Sequence, residues 1–249
     1  MTVHQETSLV FGGHSPIAIA ISKQLSLTTY VKHFSRNVDM RLKKDLPEST
    51  SFSLTSWGAF KHILDRRQKS ILLSSKCTNL IFSHKYISRQ VDPLEQFSVE
   101  VLFPIAVIEF LITNELFNED SNIIFLTSPA SNFIVEDQSL NYHISKAGIN
   151  QVTKYFGAKL GARSKVNAIS PGSFVMKNRN RDFFEKNQVF RLAIEEFLPL
   201  KKITDVEDIA LLVEFLVSKQ NKVINGQIID VSGGYLNFEP SHIFRKSYQ

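Results

Sequence analysis

Short apolar runs of strand character alternate along this chain with segments of helical spacing, and few folds accommodate that alternation. Ser8–Phe11, Thr29–Phe34, Ser51–Ser53, Asn79–Phe82, Ser121–Leu126, Lys165–Ile169 and Ile228–Val231 read as strands. Between them, Ile17–Leu27, Trp57–Asp65, Leu94–Phe117, Leu140–Ala162 and Val206–Val217 read as helices, and Asp182–Phe197 adds helical spacing of Phe183, Phe184, Phe190, Ile194 and Phe197 before the last crossover. Strands separated by helical crossovers form βαβ units, whose parallel sheet is covered by helices on both faces. The expectation is an α/β fold with a doubly wound parallel sheet of about seven strands. No internal repeat or low-complexity linker interrupts the 249 residues, so one domain is expected, with a core at about 7–235 and a tail at 236–249.

Composition narrows the function classes. A 43% hydrophobic and 21% charged chain supports a sizeable core, and the formal charge of +5 is mild for this length. Basic residues are scattered with no aromatic-interleaved stripe, so nucleic-acid binding is not expected. The single cysteine, Cys77, excludes an internal disulfide and a cysteine-rich metal site. The seven histidines show no ligand spacing, so no metal is expected. Val99–Thr113 is apolar but interrupted by Glu100 and Glu109, which reads as a packed helix and not as a membrane span. Residues 1–7 are polar and too short for a signal peptide, and the expected location is the cytoplasm. Twenty phenylalanines against one tryptophan carry no functional reading by themselves.

The stretch Tyr142-His-Ile-Ser-Lys146 lies early in an apparent helix, with Ser128 fourteen residues upstream. Residues four apart share one helix face. A phenol is a poor base at neutrality, and a nearby ammonium favours its phenolate form. Tyr142 could therefore exchange a proton with a substrate oxygen. Tyr-x-x-x-Lys alone recurs by chance on exposed helices. His143, beside Tyr142, points to another helix face.

Other blocks extend the pattern. Ser8-Leu-Val-Phe11 leads into Gly12-Gly13-His14-Ser15-Pro16, Asn167-Ala-Ile-Ser-Pro-Gly172 follows the Tyr142 helix, and Ile224-Asn-Gly-Gln-Ile-Ile-Asp-Val-Ser-Gly-Gly234 closes the core. In order and spacing the chain resembles the short-chain dehydrogenase/reductase family over about residues 7–235, most closely from Ser121 to Gly234. The resemblance implies a Rossmann-like fold and an oxidoreductase that interconverts a carbonyl and a secondary alcohol. It implies Tyr142 as the acid–base group and Ser128 as the hydrogen-bond partner of the substrate oxygen, with Thr127 and Ser131 as alternatives. Lys146 would polarise Tyr142 and hold the nicotinamide ribose. It also implies cofactor contacts at Gly12, Ser15, Ile17, Ser53, Ser83, Pro171, Gly172 and Phe174, and a homodimer or homotetramer.

At the end of the second strand, an acid would mark NAD. Arg36 stands there instead, and guanidinium suits a 2′-phosphate, so NADP(H) is expected over NAD(H). Several positions depart from the family pattern. Pro16 and Ala18 replace two glycines of the first turn, and Met176 replaces a threonine. Ser53 replaces an aspartate, and the usual Asn-Asn-Ala-Gly becomes Phe82-Ser83-His84-Lys85. Glu100 falls where an asparagine usually supports a proton-relay water. It could take over that role, pair with Lys146, or serve as a buried-helix acid. Paired with Lys146, it would partly cancel that cation's effect on Tyr142. These departures motivate the alternative of a cofactor-binding relative with little catalysis, acting as a partner subunit. Lys177, Arg179 and Arg181 follow Gly172 and are compatible with an anionic substrate or with a solvated basic loop.

Overall fold

The computed structural model describes residues 6–35, 38, 40–46, 50–51, 64–74, 76–86 and 92–239. Arg36, Ser53 and most of the expected Trp57–Asp65 helix lie outside the described residues.

Seven parallel strands form the main sheet in the order β3-β2-β1-β4-β5-β6-β9. They are β1 (Thr7–Phe11), β2 (Tyr30–Ser35), β3 (Thr50–Ser51), β4 (Cys77–Phe82), β5 (Phe117–Leu126), β6 (Ser164–Pro171) and β9 (Ile228–Val231). A parallel pair, β7 (Val175–Met176) and β8 (Thr204–Asp205), stands apart. The helices are α1 (Pro16–Leu25), α2 (Met40–Asp45), α3 (Arg66–Leu73), α4 (Pro93–Phe97), α5 (Phe103–Thr113), α6 (Leu140–Leu160), α7 (Asn178–Lys186), α8 (Gln188–Phe197) and α9 (Val206–Val217).

Alternate strand residues serve two cores, because side chains switch face at each step. Leu9, Phe11, Leu80, Phe82, Ile123, Phe125, Val166 and Ala168 pack with α3, α5 and α6. Val10, Ile81, Ile124, Leu126 and Ile169 pack with α1 and α9 on the other side. Both faces are thus covered, as expected of a doubly wound sheet. Part of the phenylalanine excess goes into one register row near the sheet's C-terminal edge. Phe34, Phe11, Phe82 and Phe125 stack across β2, β1, β4 and β5, with ring centroids 4.6, 5.4 and 5.3 Å apart.

Four element readings need correction. Asp65 does not end a helix but opens α3: its carboxylate accepts from Gln68 N, and Gln68 Oε1 accepts from Asp65 N, both at 2.8 Å. Such a capping box satisfies two N–H groups that the first turn leaves unpaired. Phe117 belongs to β5, since α5 stops at Thr113 and Glu115 takes a left-handed φ of 54°. The 182–197 segment breaks at Asn187 (φ −114°, ψ 60°) into α7 and α8, which lets Phe184 and Phe190 stack.

The long helix Pro93–Thr113 is also not uniform. Ser98–Leu102 forms a π turn between α4 and α5. Pro104 has no N–H and its ring crowds the carbonyl four residues earlier, so a regular α-helix cannot pass through it undisturbed. By length and composition this helix could cross a membrane. Here it is a core helix, with Val101, Phe103, Val107, Ile108 and Leu111 buried against the sheet.

Candidate active site

Ligands of open α/β sheets gather outside the strands' C-terminal ends, where the strand order reverses. That point is the β1/β4 boundary here, and Gly12 and Ser83 meet across it. Ser83 N donates to Phe11 O at 2.8 Å, and Gly12 N and Gly13 N donate to Phe34 O at 3.3 and 3.0 Å. A Cβ on Gly12 would lie 2.0 Å from the Ala18 Cβ, so α1 rests directly on this turn. Gly13 has φ +56°, open to glycine at little cost. Ser15 is the N-cap of α1, with Pro16 and Ile17 beginning its first turn.

His33 braces the same turn. Its Nε2 lies 2.8 Å from Gly13 O and its Nδ1 2.8 Å from Ser22 Oγ. A carbonyl can only accept, so Nε2 carries the proton and Ser22 donates to Nδ1. Burial holds the ring below the ordinary histidine range, against the opposing pull of the Gly13 carbonyl.

At the far side, α6 begins under the Ser139 cap, whose Oγ accepts from Tyr142 N at 3.3 Å. Tyr142 is half-buried and Lys146, one turn on, is buried, with its Nζ 5.4 Å from the centre of the Tyr142 ring. Lys146 Nζ forms an ion pair with Glu100 Oε2 at 3.0 Å; the two residues are only 4% and 2% exposed. Glu100 Oε1 accepts from Tyr86 N at 3.1 Å and Gln96 Nε2 at 3.3 Å, so the π turn also anchors the segment leaving β4. Of the roles open to Glu100, the geometry selects pairing.

His84 fills a gap that the π turn leaves. Phe103 N donates to Ser98 O, and Pro104 has no N–H, so the Val99 carbonyl lacks a helical partner. His84 Nε2 lies 2.8 Å from it and donates. The ring packs edge-on to Phe82 and Phe103, and burial holds it below its usual 6.5.

The three candidate hydroxyls after β5 are not equivalent. Thr127 donates to Asn150 Oδ1 at 2.8 Å. Ser131 donates to Ser128 O at 2.7 Å and accepts from Asn150 Nδ2 at 2.9 Å. Ser128 Oγ accepts from Ala130 N at 3.2 Å, and its own proton goes to no described residue. Ser128 is therefore the hydroxyl left to donate outward. His143 does not face this group: its Nε2 accepts from Val135 N at 2.9 Å and its Nδ1 meets Ser139 O at 2.8 Å.

Pro171 and Gly172 end β6 against β9, and a Cβ on Gly172 would stand 3.0 Å from Ser232 Cα. Tyr235 accepts from Ser173 N at 2.9 Å through its hydroxyl and tilts against Phe174 at 5.7 Å. Met176 is absorbed into a small core with Phe184, Ile194, Leu198 and Ile203. Sequence reasoning missed Asn150, Tyr235, His33 and the placement of Lys85. Asn150 was reachable, since 142, 146 and 150 lie on one helix face.

Comparison with known proteins bears on this arrangement. Residues 94–236, more than half of the chain, match the family described as enoyl-(acyl carrier protein) reductase. The chain belongs to the short-chain dehydrogenase/reductase family. Among its relatives, the 3-oxoacyl-acyl-carrier-protein reductase of Rickettsia felis is 39% identical over 97 residues, 39% of each chain. The 7alpha-hydroxysteroid dehydrogenase of Paraclostridium sordellii is 36% identical over 100 residues, 39% of this chain and 36% of that protein. The matched stretch thus spans under two-fifths of these relatives. Short-chain dehydrogenase/reductase structures cover the whole fold. That from Serratia marcescens superposes with a TM-score of 0.74 at 18% identity, over 94% of this chain and 99% of its own. One from Mycobacterium ulcerans gives 0.74 at 18% identity, over 99% and 96%.

The turn residues fit a dinucleotide in this fold. Gly12 lets α1 close directly onto the turn through Ala18, α1 presents its N-terminus behind the turn, and Ser83 closes the opposite wall.

Proposed function

We propose that this chain is an NADP(H)-dependent oxidoreductase that interconverts a carbonyl and a secondary alcohol. The observation that carries the reading is the placing of Tyr142 with a buried Lys146 one turn behind it, at the same sheet edge as the outward hydroxyl of Ser128. The nicotinamide group, when bound, supplies or accepts the hydride at the substrate carbon. Ser128 donates to the substrate oxygen and fixes its position. Tyr142 gives its phenolic proton to that oxygen on reduction and takes it back on oxidation. Lys146, paired with Glu100, places an ammonium one turn behind the phenol and serves the ribose. Gly12, Ser15, Ile17 and Ser83 form the phosphate end of the cleft, and Pro171, Gly172 and Phe174 its nicotinamide wall.

The preference for NADP(H) rests on Arg36, where a guanidinium can pair a 2′-phosphate. Titration should show tighter binding of NADPH than NADH, with the order reversed in Arg36→Asp. Equal affinities in the parent would remove that argument.

A panel of ketones, keto-acids, 3-oxoacyl thioesters and oxo-steroids with NADPH tests the reaction, since the relatives' names point to 3-oxoacyl and hydroxysteroid groups. Tyr142→Phe should abolish turnover while leaving NADPH affinity nearly intact, and Lys146→Ala should damage both. A Tyr142→Phe protein as active as the parent overturns the mechanism. The Glu100–Lys146 ion pair favours a second reading, a cofactor-binding subunit with little catalysis. NADPH binding without Tyr142-dependent turnover across the panel would select it.

A further inference from the structure

Lys85 follows β4 at the position where the family usually has a glycine. Its Nζ stands 4.3 Å from the centre of the Tyr142 ring, closer than Lys146 at 5.4 Å. A second contact holds it across the cleft: Nζ donates to Gln138 Oε1 at 3.1 Å, on the loop between Ser128 and α6. Among the described residues no carboxylate lies within ion-pair distance of Lys85. Lys146, by contrast, is matched by Glu100 at 3.0 Å.

The charges around Tyr142 can be taken element by element. On α6, Lys146 is positive, and both ring nitrogens of His143 are turned to the backbone, Nε2 to Val135 N and Nδ1 to Ser139 O. The π turn brings Glu100, negative and joined to Lys146. The segment after β4 brings Lys85. Glu136 and Asp137, on the loop with Gln138, are exposed and unpaired with Lys85. Glu100 thus offsets one of the two cations, and the surplus positive charge at the phenol belongs to Lys85. A phenolate spreads its negative charge into the ring, so a cation over the ring face favours that state over the neutral phenol.

We propose that Lys85 is a positioning residue for proton transfer, supplying at the Tyr142 ring the positive charge that Glu100 withdraws from Lys146. This rests on the reductase reading for its chemistry, but its physical content is the charge state of Tyr142. Lys85 is exposed, so its substitution leaves the core intact.

The test compares Lys85→Met, which keeps the chain length and removes the charge, with Lys85→Arg, which keeps the charge. In Lys85→Met, kcat for reduction or oxidation should fall roughly three- to tenfold near neutral pH. That is a fraction of the hundredfold or more that acid–base placement contributes, because an exposed charge is screened. The deficit should shrink as the pH rises, KM and NADPH affinity should stay level, and Lys85→Arg should recover most of the rate. A purely structural role would lower kcat equally at every pH. A pH–rate profile that superimposes on the parent's overturns the proposal. Should the parent show no Tyr142-dependent turnover, the reductase reading falls, and the ultraviolet phenolate step still decides. The step that Tyr142→Phe removes from the alkaline titration should move to higher pH in Lys85→Met; a step at the parent's pH overturns the proposal by itself.

Discussion

Removing the charge of Glu100 would leave the Lys146 ammonium buried without a counter-ion. Desolvation makes that state costly: breaking a buried pair at one end destabilises proteins by about 3–5 kcal/mol. Glu100→Gln keeps the acceptor for Tyr86 N and the side-chain volume, so the lower end applies. A loss of about 3 kcal/mol corresponds to a melting temperature roughly 6–12 °C lower in a chain of this size. Calorimetry checks it, and an unchanged melting temperature would show that the pair contributes nothing net. At this scale the sequence was legible where chemistry is local. Tyr142 and Lys146 stand one helical turn apart, and the departure at Glu100 was visible along with its capacity to pair. Lys85 was illegible because its approach to Tyr142 depends on how the chain leaves β4. No spacing rule connects residue 85 to residue 142.

Helix α6 offers two glycines with opposite expected outcomes on substitution. A Cβ on Gly157 would meet Gly226 Cα at 2.7 Å and Gly226 N at 3.0 Å, backbone atoms with no rotamer to yield. On Gly148 it would meet the Val101 Cγ2 at 3.3 Å, a side-chain end that can shift by tenths of an ångström. Alanine gains about 1 kcal/mol over glycine in a helix interior. Gly148→Ala should therefore be near neutral or slightly stabilising, whereas Gly157→Ala should lose about 1–3 kcal/mol through overpacking. Urea unfolding of the two variants distinguishes them, and equal midpoints would refute the assignment. Elements whose ends are marked by packing were read closely, as for α9 and β9. The errors fell where local chemistry competes with periodicity. Asp65 and Gln68 form a cap that their spacing announces, and Pro104 was passed over inside an apolar stretch. Asn187 interrupts a phenylalanine pattern that continues in phase across the break.

At the scale of the whole molecule, the parallel sheet covered on both faces was legible from alternation, because parallel strands need crossovers, whereas the strand order and the separate β7–β8 pair were not. Its stability should depend on acid through two histidines that fold holds neutral, His33 beside the glycine turn and His84 beside the π turn. Burial lowers both below the unfolded value near ~6.5. Below that value the unfolded chain binds protons that the folded chain refuses, so stability falls as pH falls. Above it, both states are neutral and stability is full. Each histidine contributes a slope of up to about 1.4 kcal/mol per pH unit. Urea midpoints should decline from pH 7.5 to 5, and a flat series would contradict the neutral assignment.

The stacked row of Phe34, Phe11, Phe82 and Phe125 has an optical consequence. Aromatic rings locked at fixed angles in a twisted sheet form a chiral array, and such an array gives near-ultraviolet circular dichroism. The single tryptophan and the six tyrosines have their main near-ultraviolet bands at longer wavelength than the sharp phenylalanine bands. Because Gly12 and Ser83 directly follow two of these rings, the share of those bands that Phe11→Leu or Phe82→Leu removes reports order at the cleft floor, readable without any attached dye.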